Sequence, residues 1–319
     1  MARHGLTVNA EVRLGDALRE LLSAAGEFWS KDELHLAAAL SEGRVFLDGR
    51  RLLEDELDRW IAVGQRLELG ERAENTDEQP RVLDQRWGLV AAYKPSGLPT
   101  EPDQRSRDSL LSRLEATLGQ RLHAMSRLDA RVSGVMLLAT DSAKQLAHEL
   151  RARAAIERRY IGVVGALPEP GNGKWSGAIG LGERGKRRVG GRGAKPALTH
   201  YRVLATLPPG APVLSVRRGR ELVPLQPAWL EFRLETGRTH QIRVHCAHAG
   251  APLLGDGLYG GVAAVTLPRG NVLELSRIAL HARYVGVTHA GSTWQVACPL
   301  PQTLEEWWSR VGGEPLGAS

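Results

Sequence analysis

One carboxylate stands out because of the residues that surround it. Asp129 lies in the stretch RLHAMSRLDARVSGVMLLATD, with Arg127 just before it and the pair Ser133-Gly134 just after it. The apolar run that follows predicts a buried strand. An aspartate at the entrance to a strand can take part in catalysis, or it can only cap a turn. The basic flank and the Ser-Gly pair favour catalysis, and the rest of the chain must decide.

Three other stretches contain residues that could assist such a carboxylate. The first, YKPSGLPTEP, is a Pro- and Gly-rich loop that directly follows a strand and holds Lys94. The second, ERRYIGVVG, places Tyr160 at the start of a strand after a basic pair. The third, LETGRTHQIRVHCAHAGAPLLGDGLYG, concentrates arginines, histidines and glycines in and after one predicted strand. Each stretch is ambiguous when it is considered singly.

Taken in this order and at this spacing, the four stretches resemble the RluA-type pseudouridine synthases. The matching residues are Lys94-Pro95-Ser96-Gly97, Arg127-Leu128-Asp129 with Ser133-Gly134, Arg159-Tyr160, and Thr236 through His245 with Gly255-Asp256 and Tyr259-Gly260. Ser126 and Val132 stand where the family usually has histidine and threonine. Neither is the nucleophile, so these departures bear on the RNA target more than on the reaction.

The resemblance implies an isomerase that converts specific uridines of structured RNA to pseudouridine. It implies that Asp129 is the catalytic carboxylate, whether by covalent attack or by assisting elimination, and that Arg243 keeps it ionised. Tyr160 would hold the extracted base and transfer a proton, and Arg127 would fill the gap in the RNA stack. Further RNA contacts are expected from Lys94, Arg238, His240 and Gln241.

The segment THQIRVHC alternates polar and apolar residues, which predicts a strand. Gln241, Arg243 and His245 would then share one face, and His240, Ile242 and Val244 the other. The cluster of His240, His245, Cys246 and His248 raises the possibility of a zinc site. On a strand, however, His240 and His245 point to opposite faces, so we expect no metal site. The reaction implied by the resemblance requires no cofactor.

A basic segment, GERGKRRVGGRGAKPALTHY, runs from Gly182 to Tyr201. Its cations lie among glycines, with Glu183 as the only acidic residue: Arg184, Lys186, Arg187, Arg188, Arg192 and Lys195. Such a run often does no more than face solvent. In a chain that resembles RNA-modifying enzymes, we expect a flexible loop whose Arg187 and Arg188 contact phosphates.

The chain divides into a small N-terminal module (residues 1–70), a linker (71–80) and a large domain (81–319). In the module, Leu14, Leu18, Leu21 and Leu22 predict one helix, Ser30 with Glu33 and Gly43 bound a second, and Asp48-Gly49 predicts a hairpin turn. This α/β arrangement resembles the alpha-L RNA-binding module, which is ribosomal-protein-S4-like. The linker, ERAENTDEQP, is polar and lacks periodicity.

The large domain contains more predicted strands than helices, so we predict an α+β catalytic domain with a largely antiparallel mixed sheet. The strand-like runs are GLVAAYKP, GVMLLAT, RYIGVVGAL, THYRVLATL, AWLEFRLET, HQIRVHC and YVGVTHAG. Two helices are predicted over DSLLSRLEATLG and DSAKQLAHELRARAAI, the second with Asp141 as its N-cap.

Composition supports an RNA partner and excludes some other classes. The 319 residues carry a formal charge of +6, and two cysteines are too few for a disulfide framework. We find no apolar stretch that could span a membrane and no apolar core of a signal peptide. We therefore expect a cytoplasmic monomer that acts on RNA, ribosomal RNA before transfer RNA.

Two rival functions remain open at this point. A non-catalytic RNA-binding or ribosome-assembly factor could keep the fold without turnover, although Asp129, Tyr160 and Arg243 are all present. A hydrolase could use Asp129 as its nucleophile, but the sequence offers no recognisable acid partner, and a hydrolase would release free base.

Overall fold

The structure is a computed structural model. It describes residues 4–24, 36, 39–40, 45–52, 54–69, 79–102, 108–183, 186–218, 221–268 and 272–316.

The N-terminal module is a small sheet packed on helix α1. Its elements are β1 (His4–Thr7), β2 (Val12–Arg13), α1 (Leu14–Ala24), β3 (Val45–Leu47), β4 (Arg50–Arg51), β5 (Trp60–Ile61) and β6 (Arg66–Leu69). Four strands form an antiparallel sheet in the order β1-β6-β3-β4, and β2 pairs with β5. Asp48 and Gly49 form the predicted two-residue turn with φ of 49° and 77°.

The four leucines predicted on one face of α1 are all buried in the module's own apolar cluster. Among the residues that the structure describes, that cluster contains none beyond Leu69. Ser30, Glu33 and Gly43, predicted to cap the second helix, lie outside the described residues, as does most of the predicted linker. The domain limits and the RNA-binding role of the module stay predictions.

The large domain is built mainly from strands. Its elements are β7 (Arg81–Arg86), β8 (Leu89–Lys94), α2 (Leu110–Leu118), β9 (Leu122–Ala124), β10 (Ser133–Thr140), α3 (Lys144–Ala152), β11 (Ile156–Val164), β12 (Asn172–Trp175), β13 (Ile179–Leu181), β14 (Arg187–Val189), β15 (Arg192–Lys195), β16 (Thr199–Thr206), β17 (Leu214–Arg218), β18 (Glu221–Leu225), β19 (Ala228–Leu234), α4 (Gln241–His248), β20 (Ala264–Thr266), β21 (Val272–Glu274), β22 (Leu280–His289), β23 (Ser292–Ala297) and α5 (Gln302–Arg310).

A ten-stranded sheet forms the centre of this domain. Eight strands follow the order β12-β16-β19-β11-β22-β10-β8-β7, while β9 pairs with β10 and β23 with β22. Every pairing is antiparallel except β10 with β22, which run parallel over Ser133 and Gly134. The predicted α+β class with a largely antiparallel mixed sheet is confirmed.

Apolar side chains cover both faces of this sheet. On one face, α2 and α4 pack over Tyr160, Leu230 and Phe232. On the other face, α3 covers one half of the sheet, and α5 covers the other half through Trp307 and Trp308. The face under α2 and α4 carries the candidate site.

The structure corrects the prediction of a strand over THQIRVHC, because these residues form helix α4. Residues 241 to 246 are all buried, so polar and apolar side chains alike have partners inside the protein. The alternation of Gln241, Arg243 and His245 with apolar residues therefore did not reflect alternating burial. His240 precedes the helix in the left-handed region, with φ of 58°.

Three further elements differ from the sequence prediction. Asp141 opens a short 3-10 turn ahead of α3 instead of capping it, and its carboxylate contacts His123 and Lys144. Helix α5 was not predicted at all. The basic segment, expected to be a flexible loop, forms β14 and β15, which lie on either side of β13 and each pair with it in antiparallel fashion.

Candidate active site

Asp129 lies in a turn between β9 and β10. The loop after β8 holds this turn in place. Thr100 Oγ1 accepts a hydrogen bond from the Leu128 N–H at 3.2 Å and donates to the Leu128 carbonyl at 2.8 Å. The Gly97 N–H donates to the Ala130 carbonyl at 2.8 Å. The Pro- and Gly-rich loop thus fixes the backbone on both sides of the carboxylate.

Lys94 belongs to this support and does not face RNA. Its side chain is fully buried, and Nζ donates to three carbonyls, those of Pro95 at 2.9 Å, Leu98 at 2.6 Å and Ala130 at 3.0 Å. Burial and the charge of Arg277 lower the pKa of Lys94 to about 7, against the opposing effect of Asp129. The structure contradicts the predicted RNA contact, because no part of this ammonium group is accessible.

Arg243 joins two carboxylates through all three guanidinium nitrogens. Nη1 donates to Asp129 Oδ2 at 2.7 Å, while Nε and Nη2 donate to the two oxygens of Asp256 at 2.7 Å each. The side chain of Asp256 is 1% exposed and that of Arg243 is 7% exposed, whereas that of Asp129 is 27% exposed. Arg243 and Asp256 are therefore enclosed by the protein, and Asp129 is the carboxylate that a substrate can reach.

The charge state of Arg243 follows from these contacts. Burial alone would lower the pKa of Arg243, but the hydrogen bonds and charges of Asp256 and Asp129 raise it above its ordinary value. Arg243 therefore stays cationic and bound to Asp129. Helix α4 supplies this arginine, and 114 residues of chain separate it from Asp129.

His240 lies on the other side of the same carboxylate. Its Nε2 is 3.5 Å from Asp129 Oδ1, and its Nδ1 is 2.7 Å from the Tyr259 hydroxyl. That hydroxyl accepts a hydrogen bond from the Arg187 N–H at 3.1 Å, so its own proton is free to be donated to Nδ1. Burial and the charge of Arg243 lower the pKa of His240. A neutral imidazole with its proton on Nε2, directed at Asp129, fits these contacts.

Gln241 fixes the turn that leads into α4. Its Oε1 accepts from Thr236 Oγ1 at 2.8 Å and from the Arg238 N–H at 3.0 Å. Its Nε2 donates to the Leu198 carbonyl and to Thr199 Oγ1, each at 3.0 Å. Because the side chain is buried and its amide is fully occupied, the predicted RNA contact of Gln241 is contradicted as well.

A pocket opens beside Asp129 on the face of the sheet under α4. Its lining brings together most of the residues singled out in the sequence: Arg127, Leu128, Asp129, Val132, Tyr160, Leu234, Arg238, His240, Gln241, Ile242, Arg243 and Leu280. Tyr160 projects from β11 and is 8% exposed. Burial raises the pKa of Tyr160, so its phenol is protonated at neutral pH.

The predicted RNA-binding arginines lie at the rim of this pocket or beyond it. Arg127 is exposed, and its Nη1 lies 3.7 Å from Glu101. Arg238 is also exposed, and its Nε donates to the Pro196 carbonyl at 3.0 Å. Arg187 and Arg188 project from β14, where Arg188 is exposed and Arg187 is half-buried. These four stay candidates for contact with RNA.

The histidines of α4 do not converge on a common point. His245 contacts Thr199 Oγ1 and the Gly177 carbonyl at 2.9 Å each, and His248 is exposed. In the part of the chain that the structure describes, no group of three or more His, Cys, Asp or Glu side chains is arranged to hold a metal ion. The argument from strand alternation against a metal site was wrong, however, because these residues form a helix.

Sequence comparison assigns the family. A profile described as RNA pseudouridylate synthase matches residues 88–248, which include Asp129, Tyr160 and Arg243. The chain belongs to the RNA pseudouridylate synthase family. The resemblance and the enzyme class predicted from the four stretches, an isomerase of the RNA pseudouridine synthase type, are confirmed at the level of the family.

Curated relatives differ in how much of their length the chain covers. Ribosomal large subunit pseudouridine synthase D of Xanthomonas campestris is 32% identical over 300 residues, 86% of this chain and 83% of its own. The Pseudomonas aeruginosa protein of the same name is 31% identical over 310 residues, 88% of this chain and 87% of its own. The chain spans only 44% of chloroplastic RNA pseudouridine synthase 2 of Arabidopsis thaliana, at 32% identity over 206 residues.

Solved structures support the fold. Human RNA pseudouridylate synthase domain containing 1 aligns with a TM-score of 0.55 and 20% identity, over 72% of this chain and 88% of its own. Human RNA pseudouridylate synthase domain containing 4 aligns with a TM-score of 0.51 and 24% identity, over 72% and 92%. Within the described residues, no helix is long and apolar enough to cross a membrane.

Proposed function

We propose that this protein isomerises uridine to pseudouridine in ribosomal RNA, with Asp129 as its catalytic carboxylate. The observation that carries the proposal is the partly exposed Asp129 carboxylate, fixed by Arg243 through Oδ2 at the edge of the pocket that Tyr160 lines. The names of the Xanthomonas and Pseudomonas relatives favour ribosomal over transfer RNA.

The chemistry suits a site of this composition. The bond between the ribose anomeric carbon and uracil N1 breaks, and a bond from the same carbon to uracil C5 forms. C5 loses a proton and N1 gains one, so atoms balance and no electrons are transferred to another molecule. A carboxylate can attack a carbon or assist elimination, and Asp129 is placed for either role.

Neighbouring residues divide the remaining tasks. Arg243 keeps the carboxylate oriented and charge-balanced, and Tyr160 holds the base and exchanges a proton through its phenol. Arg127, exposed at the rim, replaces the base that leaves the RNA stack. His240 supports the second oxygen of Asp129, which lies 3.5 Å from its Nε2.

The decisive substitution is Asp129→Asn, which keeps the size of the side chain but removes its charge and nearly all its nucleophilicity. Pseudouridine formation per folded protein should fall below detection, while RNA affinity persists because phosphate contacts and base stacking supply it. The matched control is Asp141→Asn at the far end of β10, where an exposed carboxylate contacts His123 and Lys144. That variant should keep normal turnover.

The same assay separates the remaining possibilities. Large-subunit ribosomal RNA and transfer RNA transcripts are offered in parallel, and pseudouridine and free uracil are both measured. Turnover on transfer RNA alone would contradict the ribosomal target and leave the chemistry intact. Binding without pseudouridine in the wild-type protein would favour a non-catalytic factor, and free uracil would indicate a hydrolase.

A further inference from the structure

Two consecutive arginines of β11 differ sharply in their surroundings. Arg159 is exposed, its Nε and Nη2 donate to Glu157 Oε1 at 2.8 and 2.7 Å, and its guanidinium lies over the ring of Tyr284 at 4.9 Å. Arg158 is half-buried, and we find no hydrogen bond or ion pair to it among the residues that the structure describes. The sequence motif drew attention to Arg159, but Arg158 is the arginine without a partner.

Strand geometry places Arg158 on the side of the candidate pocket. The register of β11 with β19 runs without interruption from Val164 to Arg159 and pairs Tyr160 with Phe232. The pairing of β11 with β22 shifts register between Arg159 and Tyr160. The uninterrupted pairing with β19 and the contact of its guanidinium with Gly237 nevertheless place Arg158 on the same side as Tyr160. Glu157 and Arg159 face the opposite way, which explains how they can pair with each other.

The guanidinium of Arg158 rests against the loop that leads into α4. A Cβ added to Gly237 would lie 3.0 Å from its Nη1 and 3.4 Å from its Nη2. Gly237 lies between Leu234 and Arg238, both of which line the pocket. The absence of a side chain at this exposed glycine lets the guanidinium approach the backbone closely.

An unpaired guanidinium in this position calls for an acceptor. Its Nε is buried and has no hydrogen-bond partner, although arginine carries five N–H donors in a fixed fork. Buried polar groups in proteins are nearly always hydrogen-bonded, so the donors of Arg158 are suited to an acceptor that approaches from outside the protein. The fork matches two oxygens of one phosphate, which the adjacent exposed Arg238 could share.

We propose that Arg158 binds a backbone phosphate of the RNA next to the uridine held in the pocket, with Arg238 beside it. The ligand class is a nucleic-acid phosphodiester, and the proposal rests on the proposed function only in taking RNA as the substrate. Arg158 is thus a binding residue that places the nucleotide over Asp129, and it is not part of the bond-breaking step.

The test compares Arg158→Gln with Arg159→Gln, two neighbours on opposite faces of one strand. Affinity for large-subunit ribosomal RNA transcript is measured across a salt series, together with kcat, KM and melting temperature. Arg158→Gln should bind roughly tenfold more weakly, since it removes one charge-assisted interaction with a phosphate. The slope of log affinity against log salt should flatten by about 0.7 to 0.9 for one phosphate. Arg159→Gln should match the wild type.

Two further variants keep the test decisive if Arg158→Gln folds poorly. Arg158→Lys keeps the charge and should preserve the salt slope while reducing the affinity in part, because lysine lacks the fork. Gly237→Ala keeps the charge but shifts the guanidinium by a few tenths of an ångström, so it should reduce the affinity by less than Arg158→Gln does and preserve the salt slope.

The outcomes separate this proposal from the proposed function. An unchanged salt slope in Arg158→Gln would overturn the phosphate contact, even if pseudouridine forms normally. A fall in kcat with unchanged affinity and slope would also overturn it, since Arg158 would then act through its neighbour Tyr160. If Arg158→Gln flattened the slope and the wild-type protein formed no pseudouridine, the phosphate contact would be supported and the proposed function would be contradicted.

Discussion

The pocket around Asp129 and the small sheet β14-β13-β15 both carry concentrated charge, yet they handle it in opposite ways. In the pocket, Arg243 is 7% exposed and binds two carboxylates at 2.7 Å. On the small sheet, Arg188, Arg192 and Lys195 are exposed, and no carboxylate of the described residues lies within ion-pair distance of them. Charges in the first region are preorganised for one geometry, whereas those in the second are available to any phosphate that approaches.

This contrast predicts different responses to the removal of a positive charge. Removing a buried charge should cost folding free energy and catalysis, because its partners are left uncompensated. Removing an exposed charge should lower only the affinity for RNA. Because salt screens exposed charges, this loss of affinity should be smaller at high salt.

The largest effect is expected for Arg243→Met, which removes the cation between two carboxylates. The free energy of unfolding should fall by about 3–5 kcal/mol, because Asp256 is left buried without a partner. Pseudouridine formation by the remaining folded protein should be undetectable. Chemical denaturation followed by fluorescence measures the first quantity, and nucleoside analysis of treated RNA measures the second.

Arg202→Met provides the control, since Arg202 pairs with Glu231 at the surface, with Nη2 3.1 Å from Oε1. An exposed pair of this kind contributes at most about 1 kcal/mol. Equal destabilisation by the two substitutions would show that the buried charges of the pocket are not specially organised.

Lys94→Met should give an intermediate effect that tests the corrected role of Lys94. The variant removes the Lys94 donor from the carbonyls of Pro95, Leu98 and Ala130, of which Ala130 keeps the Gly97 N–H. An unsatisfied buried group should cost about 1–3 kcal/mol of stability. Turnover should fall because Ala130 adjoins Asp129. RNA affinity and its salt slope should stay at wild-type values in the folded fraction, and a lower slope would restore the RNA contact predicted from the sequence.

The smallest effect on the fold is expected for the double substitution of Arg187 and Arg188 by alanine. Stability should change by at most about 1 kcal/mol, because Arg188 is exposed and Arg187 is only half-buried. The salt slope of RNA binding should decrease by about one unit for each phosphate that the variant no longer binds. Arg310→Ala, on α5 at the opposite face of the sheet, is the control and should leave the slope unchanged. Equal slopes for both variants would show that the small sheet β14-β13-β15 faces solvent and does not bind RNA.

Local sequence patterns predicted the elements that are stabilised by residues close to each other in the chain. The Asp48-Gly49 turn, the apolar face of α1 and the start of α2 were all anticipated, and Ser109 and Ser112 form a reciprocal cap at α2. Alternating apolar runs predicted the strands of the large sheet. In these cases the same residues that form the pattern also determine the structure.

The candidate site was harder to predict from local patterns, because its residues come from segments that are far apart in the sequence. The pairing of Asp129 with Arg243 followed from family resemblance, since nothing near either residue in the sequence points to the other. Helix α4 was taken for a strand because its polar residues are buried by partners from other elements, such as Thr199. Arg158 escaped notice because only its contact with Gly237 in the folded chain shows which arginine of the pair lies on the side of the pocket.

The hydrogen bond from the Arg187 N–H to the Tyr259 hydroxyl connects the backbone of β14 to the pocket around Asp129. Its donor is a main-chain group, so replacing the Arg187 side chain by alanine removes a cation but leaves the link to Tyr259 and His240 in place. The charge of Arg187 contributes to lowering the pKa of His240, but the hydrogen-bonded chain itself depends only on the position of the β14 backbone. Side chains of the β14-β13-β15 sheet can therefore change to suit a different RNA, provided that no proline enters at position 187, without breaking the hydrogen-bonded chain that ends beside Asp129.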